Sequence, residues 1–250
     1  MIITFSQLGN FGRLGNQMFQ YALIKSVATN IGARVVIPTR EHEIKKLSLD
    51  CGFRDIKIND MYKEKAFTYD PGVFSVKSNM DFSGYFQSYK YFQNIDNSIR
   101  QEFKCSEAVE KNADDNLKNL GNVVGVHVRR TDYLSFPKVH PFPGKVYYDK
   151  AMNYFRKLGS FVFMICSDDM NWCKNNIVGN DVMYSNNDKY IDLAMLYKSK
   201  HNIVANSSFS WWGGWLNNNK DKIVIYPKRW FGENGPKVWN DLIPKQWVGL

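Results

Sequence analysis

The sequence predicts an α/β protein built on parallel sheets, and three features of its 250 residues indicate this. Segments typical of strands and helices alternate along the chain, as they do in strand–helix–strand units. Val123–Val128 is an almost unbroken apolar run, as expected for a parallel strand buried on both faces. Polar clusters follow several apolar runs directly, and open α/β sheets bind their ligands at these carboxyl ends of strands.

The first half of the chain begins as a strand–loop–helix–strand unit. The predicted elements are a strand at 1–5, a glycine-rich loop at 8–15, a helix at 16–31 and a strand at 34–37. The loop glycines do not have G-x-G-x-x-G spacing, so the dinucleotide fingerprint is absent. Arg13 and Asn16 are more informative, because they are polar groups at a helix N-terminus, which itself attracts anions.

The middle of the chain is less regular. Residues 50–81 show no clear periodicity, and the aromatic-rich stretch 82–92 predicts core packing with a short strand. Gln87 and Ser88 in that stretch are candidates to line a sugar site. Residues 95–121 read as a helix, and the polar Leu120-Gly121-Asn122 stretch predicts a domain boundary, giving domains at 1–121 and 122–250.

The second half repeats one scheme of strands and helices. The predicted strands lie at 123–128, 161–166, 182–184, 202–205 and 222–226, and the predicted helices lie at 145–158, from 169, at 190–200 and from 210. The motifs RRTD, SDD and NSS each follow one of these strands. Because the carboxyl ends of parallel strands share one edge of a sheet, we expect the three motifs to meet there.

Arg129 and Arg130 are the leading candidates for an anion site at this edge, because a guanidinium pairs bidentately with phosphate or carboxylate. A salt bridge between Arg130 and Asp132 is the simpler interpretation, but the convergence of three polar motifs favours the anion site. His127 precedes the arginines on a buried strand. It fits a hydrogen-bonded core histidine and a phosphate donor equally well.

The NSS motif surrounds a predicted helix start, where backbone N–H groups and hydroxyls bind phosphate without metal. Its candidate ligands are Asn206, Ser207, Ser208 and Ser210. Capping of the helix by Ser208 or Ser210 is compatible with that role. The neighbouring tryptophans at 211, 212 and 215 are expected to pack, with Gly213 and Gly214 allowing a close helix approach.

Composition limits the ligands, the metal sites and the cellular setting that fit this chain. The net charge of +9 suits phosphorylated ligands, nucleic acid or an anionic membrane, but the basic residues do not cluster, which disfavours nucleic acid. The histidines lack metal-ligand spacing and no D-x-D is present, so no metal is expected, with Asp168-Asp169 as the remaining option. Four cysteines without a C-x-x-C pair and the absence of a leader-like start predict a reducing, cytoplasmic setting.

Four motifs together resemble glycosyltransferase family 11, the α-1,2-fucosyltransferases. They are GRLGNQMFQYA at 12–22, GYFQSYKYF at 84–92, HVRRTDY at 127–133 and NSSFSWWGGWLN at 206–217. The resemblance implies a GT-B fold, in which two Rossmann-like domains face a cleft, the first on the acceptor side and the second binding GDP-fucose. It implies inverting transfer of L-fucose from GDP-β-L-fucose to the 2-hydroxyl of a terminal galactose in an oligosaccharide, without cofactor or metal.

The resemblance also implies roles for single residues. The HVRR segment is similar to the segment of α-1,6- and protein O-fucosyltransferases that grips the donor diphosphate, which implies that Arg129 contacts the β-phosphate with His127 and Arg130 beside it. The GRLGNQ loop is similar to the loop of protein O-fucosyltransferases that reaches the fucose, which implies that Arg13 and Asn16 lie near the scissile bond.

The same resemblance implies roles for two further residues. Asp192 lies where the α-1,6 enzymes have a carboxylate that reads guanine. Asp132 is a candidate base for the acceptor hydroxyl, although it could equally hold Arg130, and the glutamate of the α-1,6 enzymes is replaced here by Pro137.

Several alternatives stay open at this point. They are a non-catalytic module that binds GDP-sugar or glycan, a fucosyltransferase of different linkage, and a metal-dependent glycosyltransferase that uses Asp168-Asp169. The Golgi relatives carry membrane anchors, and no such segment is recognised here, so the resemblance implies a bacterial cytoplasmic protein. The inner face of the membrane and a lipid-linked acceptor, as in O-antigen synthesis, are options, with peripheral membrane contact at most and no nucleic acid.

Overall fold

A computed structural model describes residues 1–250, which divide into two compact units. The first unit contains Met1–Ser106 and Val238–Lys245, and the second contains Glu107–Lys237 and Gln246–Leu250. The division after Ser106 differs from the boundary predicted after Gly121. The helix Glu107–Leu117 belongs to the second unit, because Ala113 of this helix is buried in that unit's core.

The first unit is built on a five-stranded parallel sheet in the order β3-β2-β1-β5-β4. Its strands are β1 Ile2–Thr4, β2 Arg34–Ile37, β3 Gly52–Phe53, β4 Met61–Lys63 and β5 Met80–Ser83, and its helices are α1 Leu14–Ile31 and α2 Asp96–Glu102. Four 3-10 turns lie at Glu43–Lys46, Pro71–Ser75, Tyr89–Tyr91 and Gln93–Ile95. Helix α1 is buried over most of its length, so its apolar residues do not form a single stripe.

The second unit is built on a six-stranded parallel sheet in the order β11-β10-β9-β6-β7-β8. Its strands are β6 Val123–Val128, β7 Val162–Ser167, β8 Val182–Tyr184, β9 His201–Ile203, β10 Val224–Tyr226 and β11 Val248–Gly249. Its helices are α3 Glu107–Leu117, α4 Lys145–Arg156, α5 Met170–Asn176, α6 Lys189–Lys198 and α7 Ser208–Leu216, with a 3-10 turn at Asp132–Ser135. The two parallel sheets confirm the predicted α/β class.

Strand β6 is central in the second sheet, between β9 and β7, and all six of its residues are buried. Val124, Val126 and Val128 pack on one face of the sheet with residues of α4 and α5. Val123 packs on the other face with residues of α3 and α6. Burial on both faces explains the unbroken apolar run in the sequence, and it fixes the point at which Arg129 leaves the sheet.

Glycines allow close packing on the face covered by α6 and α7. A Cβ added at Gly213 would lie 2.7 Å from the Cβ of Leu196, so α7 contacts α6 at this residue. At Gly125 an added Cβ would lie 2.9 Å from the Ser199 hydroxyl, so β6 also needs glycine there. Trp211 and Trp212 are fully buried, which confirms that the tryptophans pack.

Several elements differ from the prediction. Strands β3 and β4 lie within residues 50–81, where the sequence shows no clear periodicity. The helix expected at 95–121 is two helices, α2 and α3, because the chain between them turns to bury Phe103 and Cys105. Helix α7 begins at Ser208 rather than at Ser210. The sequence does not predict the short strand β11, which pairs with β10. A strand of two residues is too short to show an alternating pattern. None of the helices has the length and apolarity required to cross a membrane.

Candidate functional site

The three polar motifs meet at one edge of the second sheet, as the parallel topology predicts. β6 pairs with β7 on one side and with β9 on the other, so the segments that follow these strands are neighbours. The backbone N–H of Arg130 donates to Asp168 Oδ1 at 2.8 Å, which joins RRTD to SDD. The Tyr133 hydroxyl donates to the carbonyl of Asn206 at 2.7 Å, which joins RRTD to NSS. The edge is therefore one connected cluster.

Arg129 lies at the centre of this cluster with 16% of its side chain exposed. Its Nη2 donates to Asp132 Oδ2 at 2.7 Å, and its Nη1 lies 3.2 Å from Asp168 Oδ2. The guanidinium also lies 5.8 Å from the centre of the Tyr133 ring, a favourable cation–π distance. A guanidinium has five N–H donors, so two ion pairs fix its plane and leave donors for an anionic ligand.

Arg130 is held differently from Arg129. Its Nη1 pairs with Asp169, and its guanidinium lies 5.5 Å from the Trp172 ring and 5.7 Å from the Phe142 ring. Its Nε is buried and has no hydrogen-bond partner. The salt bridge between Arg130 and Asp132, which is the simpler interpretation of the sequence, is therefore wrong, since Asp132 pairs with Arg129.

The carboxylates after β7 organise the arginine loop. Asp168 accepts the N–H groups of Arg130 and Thr131 at 2.8 and 3.2 Å, accepts the Thr131 hydroxyl, and pairs with Arg129. Asp169 accepts the N–H of Trp172 at 3.0 Å and pairs with Arg130, and these two contacts lower the pKa of its carboxyl. Both side chains are therefore engaged in holding arginines, which argues against their use as the paired ligands of a metal ion.

His127 is buried on β6, with its ring 5.1 Å from the ring of Phe209. Burial lowers the pKa of His127 to about 3, and the positive charge of Arg129 contributes. The imidazole is therefore neutral at physiological pH. Its Nδ1 is buried without a hydrogen-bond partner. This ring nitrogen next to Arg129 can therefore still form a hydrogen bond.

The start of α7 presents backbone N–H groups to the same edge. Ser207 is the N-cap residue in an extended conformation, and its side chain does not cap the helix. Asn206 is 2% exposed, and its Nδ2 donates to the carbonyls of Pro141 and Trp230 at 2.9 Å each. Its Oδ1 is buried without a partner. A helix start of this kind favours an anion through its N–H groups and its dipole.

The four predicted residues of this motif are not placed alike. Ser208 begins α7 and is half-buried. Ser210 is fully buried, and its hydroxyl lies 3.4 Å from the carbonyls of Ala205 and Ser207. Ser210 therefore satisfies backbone carbonyls inside the unit and is poorly placed to contact a ligand.

Asp192 lies on α6, and its Oδ1 accepts a hydrogen bond from the hydroxyl of Ser185, which follows β8. Burial raises the pKa of Asp192 to about 7, the Ser185 hydroxyl opposes that shift, and Asp188 adds to it. Asn187 also donates to the Ser185 oxygen, at 3.0 Å. A half-buried carboxylate held by one hydroxyl is suited to accept donors from a ligand.

The raised pKa of Asp192 predicts a pH dependence of stability. In the unfolded chain the carboxyl ionises near pH 4, whereas in the fold it stays protonated until about pH 7. The unfolded state therefore binds fewer protons in this window, so the contribution of Asp192 to stability is lost as pH rises from about 4 through about 7. The variant Asp192→Asn should gain stability relative to the parent protein over that window and should show a constant difference above it.

Denaturant unfolding at pH 4, 5.5, 7 and 8.5 measures this difference. Asp149→Asn is the control, because Asp149 is exposed and pairs with Lys145 on the surface of α4. A difference between Asp192→Asn and the parent protein that does not change with pH would contradict the assignment.

Tyr133 and His140 were not singled out from the sequence, although both belong to the cluster. Their rings stack at 4.9 Å, and burial raises the pKa of Tyr133 and lowers that of His140. The Tyr133 hydroxyl reaches a carbonyl 73 residues away in the sequence. Only its position directly after RRTD could have indicated this role.

The predicted residues of the first unit form a separate group at the start of α1. Arg13 is exposed at the N-cap position and does not cap the helix with its side chain. The Gln87 Nε2 donates to Asn16 Oδ1 at 2.8 Å, so the GRLGNQ and GYFQ motifs are in contact. Ser88 is buried and its hydroxyl donates to the Asp241 carbonyl at 2.9 Å, which is a structural role. Gln87 therefore fits the predicted sugar site better than Ser88.

Comparison with known proteins covers almost the whole chain. The family described as glycosyl transferase family 11 matches residues 5–250. An alpha-1,2-colitosyltransferase of Escherichia coli is 30% identical over 96% of this chain and 96% of that protein. A galactoside alpha-(1,2)-fucosyltransferase 2 of Gorilla gorilla gorilla is 30% identical over 82% of this chain and 67% of that protein. The similarity therefore extends over both units.

Solved structures with little sequence identity share the fold. The crystal structure of POFUT1 in complex with GDP-fucose matches with a TM-score of 0.59 and 11% identity, over 90% of this chain and 97% of that one. This match agrees with the GT-B fold implied by the sequence motifs, with two parallel α/β units.

Proposed function

The chain belongs to glycosyltransferase family 11, and we propose that it transfers L-fucose from GDP-β-L-fucose to the 2-hydroxyl of a terminal galactose in an oligosaccharide. The observation that carries the proposal is the arginine cluster at the edge of the second sheet. Arg129 is oriented by Asp132 and Asp168, and Tyr133 links the same cluster to Asn206 just before α7. The names of the relatives, which are transferases, do not favour a non-catalytic binding module.

The reaction breaks the bond between the fucose anomeric carbon and the β-phosphate oxygen, and negative charge develops on the departing GDP. The acceptor oxygen forms the new bond from the opposite face, so a β-linked donor gives an α-linked product. Donors that are fixed in place before the reaction stabilise such charge best. In the proposed mechanism Arg129 donates to the β-phosphate, Arg130 reinforces the positive field, and the start of α7 with Asn206, Ser207 and Ser208 supplies N–H groups.

The other candidate residues have supporting roles in this proposal. His127 is neutral, because burial holds its pKa at about 3, so it acts through hydrogen bonding and not through charge. Guanine draws Asp192, whose pKa is about 7 without ligand, into its ionised form, which accepts the adjacent N1–H and N2 amine donors of the base. Arg13 and Asn16 keep the role that the resemblance of the GRLGNQ loop implies, which is to act on the fucose.

Asp132 is the proposed acceptor of the hydroxyl proton. Asp132 pairs with Arg129, and a carboxylate is in any case a weak base. A weak base is sufficient where the leaving diphosphate departs early and the sugar cation forms before the acceptor attacks. The hydroxyl proton then passes to Asp132 as the new bond forms.

The test is a product analysis. The protein is incubated with GDP-fucose and a panel of β-galactosides, with GDP-mannose as the control donor, and the linkage of each product is read by NMR. We expect an α-1,2-fucoside of galactose and no transfer from GDP-mannose. A fucoside of another linkage would contradict the proposed acceptor position, and the absence of GDP release from any GDP-fucose mixture would contradict the donor.

Colitose is a second candidate for the transferred sugar, because a relative aligned over 96% of its length is named as an alpha-1,2-colitosyltransferase. A competition experiment distinguishes the two donors. Equal amounts of the fucosyl and colitosyl donors are offered with one galactoside acceptor, and the ratio of the two products is measured. A product mixture dominated by the colitoside would replace fucose by colitose in the proposal and leave the linkage and the roles of the arginines unchanged.

The proposed setting is the cytoplasm. Cys166 and Cys173 are fully buried in the core of the second unit, and Cys51, Cys105, Cys166 and Cys173 are all free thiols, which suits a reducing compartment. An acceptor carried on a lipid at the inner face of the membrane remains part of the proposal, with peripheral contact at most.

A further inference from the structure

Two aromatic rings and three amide side chains lie close together on the first unit. Phe11 is on the loop before α1, Tyr85 and Gln87 are on the loop after β5, and Asn16 and Gln20 are on α1. The rings of Phe11 and Tyr85 lie 6.1 Å apart at 67°, and 40% of Tyr85 is exposed. The Gln20 amide donates to the carbonyls of Phe11 and Gly84 at 3.2 and 3.1 Å, so the two loops are tied together. The hydrogen bond from Gln87 to Asn16 ties the loop after β5 to the start of α1.

The turn that carries Tyr85 has an unfavourable backbone. Gly84 has φ +148° and Phe86 has φ +49°. A bulky residue with positive φ is rare, and such strain persists only where surrounding contacts determine it, often at functional sites. The Phe86 ring is buried among the rings of Phe5, Phe82 and Tyr91. Because the Phe86 ring is held in the core, the neighbouring Tyr85 side chain is exposed.

Glu64 stabilises the same turn through both of its carboxylate oxygens. Its Oε2 accepts the N–H of Tyr85 at 2.7 Å and its Oε1 accepts the N–H of Phe86 at 2.9 Å. An added Cβ at Gly84 would collide with the Glu64 side chain, so only glycine fits. Burial raises the pKa of Glu64, while the two N–H groups oppose that shift. These contacts therefore fix the backbone that carries the Tyr85 ring.

We infer that Phe11, Tyr85, Asn16 and Gln87 form the binding surface for the terminal galactose of the acceptor; this inference rests on the proposed function. A pyranose has an apolar face of C–H groups and a rim of hydroxyls. The two rings offer an apolar, partly exposed surface for the C–H face. The amide of Gln87 offers a carbonyl acceptor for a hydroxyl at the edge of the sugar. A loop backbone fixed by Glu64 and Phe86 loses little further entropy on binding.

The experiment compares the kinetics of three variants with lactose as acceptor and GDP-fucose as donor. Tyr85→Ala removes the ring, and we expect the KM for lactose to rise about tenfold, the effect of losing roughly 1.4 kcal/mol of binding. The KM for GDP-fucose and the rate of GDP release without acceptor should stay at the parent values. Tyr85→Phe keeps the ring and should leave the KM for lactose within about twofold of the parent value, an estimate that assumes contact through the ring face.

Tyr154→Ala is the matched control. Tyr154 is a tyrosine of similar exposure, 36%, which also makes an edge contact with a phenylalanine, at 5.6 Å from Phe155, but lies on α4 of the second unit. It should behave like the parent protein. If the parent protein transfers fucose to lactose and Tyr85→Ala leaves the KM for lactose unchanged, the inference is overturned and the proposed function stands. If the parent protein transfers nothing to any galactoside, the proposed function fails first, and the inference fails with it.

Discussion

Replacing Arg129 by alanine should lower kcat/KM for fucosyl transfer by roughly 10³-fold, the upper end of the loss for one preorganised donor to a developing anion. The side chain is largely buried, and its plane is fixed by Asp132, Asp168 and the ring of Tyr133. Arg129→Lys should be about 10²-fold impaired, because a single ammonium cannot keep both ion pairs and donate to a phosphate in the same plane.

Arg156→Ala controls for the loss of an arginine in the same unit. Arg156 pairs with Asp181 and lies 5.1 Å from the Phe163 ring, but it is exposed on α4. GDP binding by calorimetry and thermal unfolding accompany the kinetics, so that loss of donor affinity is separated from loss of fold. Activity of Arg129→Ala within threefold of the parent value, in a folded protein, would remove Arg129 from the mechanism.

Replacing Asp168 by alanine should affect both stability and activity. The carboxylate, 18% exposed, accepts the N–H groups of Arg130 and Thr131 and pairs with Arg129. Loss of these contacts leaves N–H groups of the loop unsatisfied, and hydrogen bonds to charged groups are worth about 1.5–3 kcal/mol, so the free energy of unfolding should fall by about 3 kcal/mol. A misplaced Arg129 should also reduce transfer by about 10²-fold.

Asp168→Asn separates the two effects. The amide keeps one oxygen, which can accept only one of the two loop N–H groups, and it loses the charge that orients Arg129. Part of the stability should therefore return while activity stays low. Asp149→Ala, which removes an exposed partner of Lys145, is the surface control. A protein with Asp168→Ala that keeps the parent's stability and rate would show that the arginine loop does not depend on this carboxylate.

The position of the candidate site follows from the sequence, because topology determines it. An unbroken apolar run predicts a parallel strand, and parallel strands bring RRTD, SDD and NSS to one edge of the sheet. The contacts of Arg130 with Asp168 and of Tyr133 with Asn206 confirm that convergence. No detail of side-chain geometry was needed for it.

The pairing of side chains within the site does not follow from the sequence. The simpler interpretation of the sequence pairs Arg130 with Asp132, its neighbour two residues on, but Arg130 pairs with Asp169, and Asp132 pairs with Arg129. The 3-10 turn at Asp132–Ser135 and the rings of Trp172 and Phe142 direct the two guanidiniums apart. The backbone strain at Phe86 and the exposure of Tyr85 cannot be predicted from the sequence either. Both depend on Glu64 and on the core around Phe86.

The central claim is that this chain transfers fucose with its own arginines stabilising the leaving diphosphate. The most direct measurement is the rate of transfer from GDP-fucose to lactose in excess EDTA, with the product identified by NMR and the rate compared with that in added Mg²⁺ or Mn²⁺. We expect an α-1,2-fucoside formed at the same rate with and without the chelator. Product that disappears in EDTA and returns with the metal would contradict the account, and would assign Asp168 and Asp169 to a metal ion in place of the arginines.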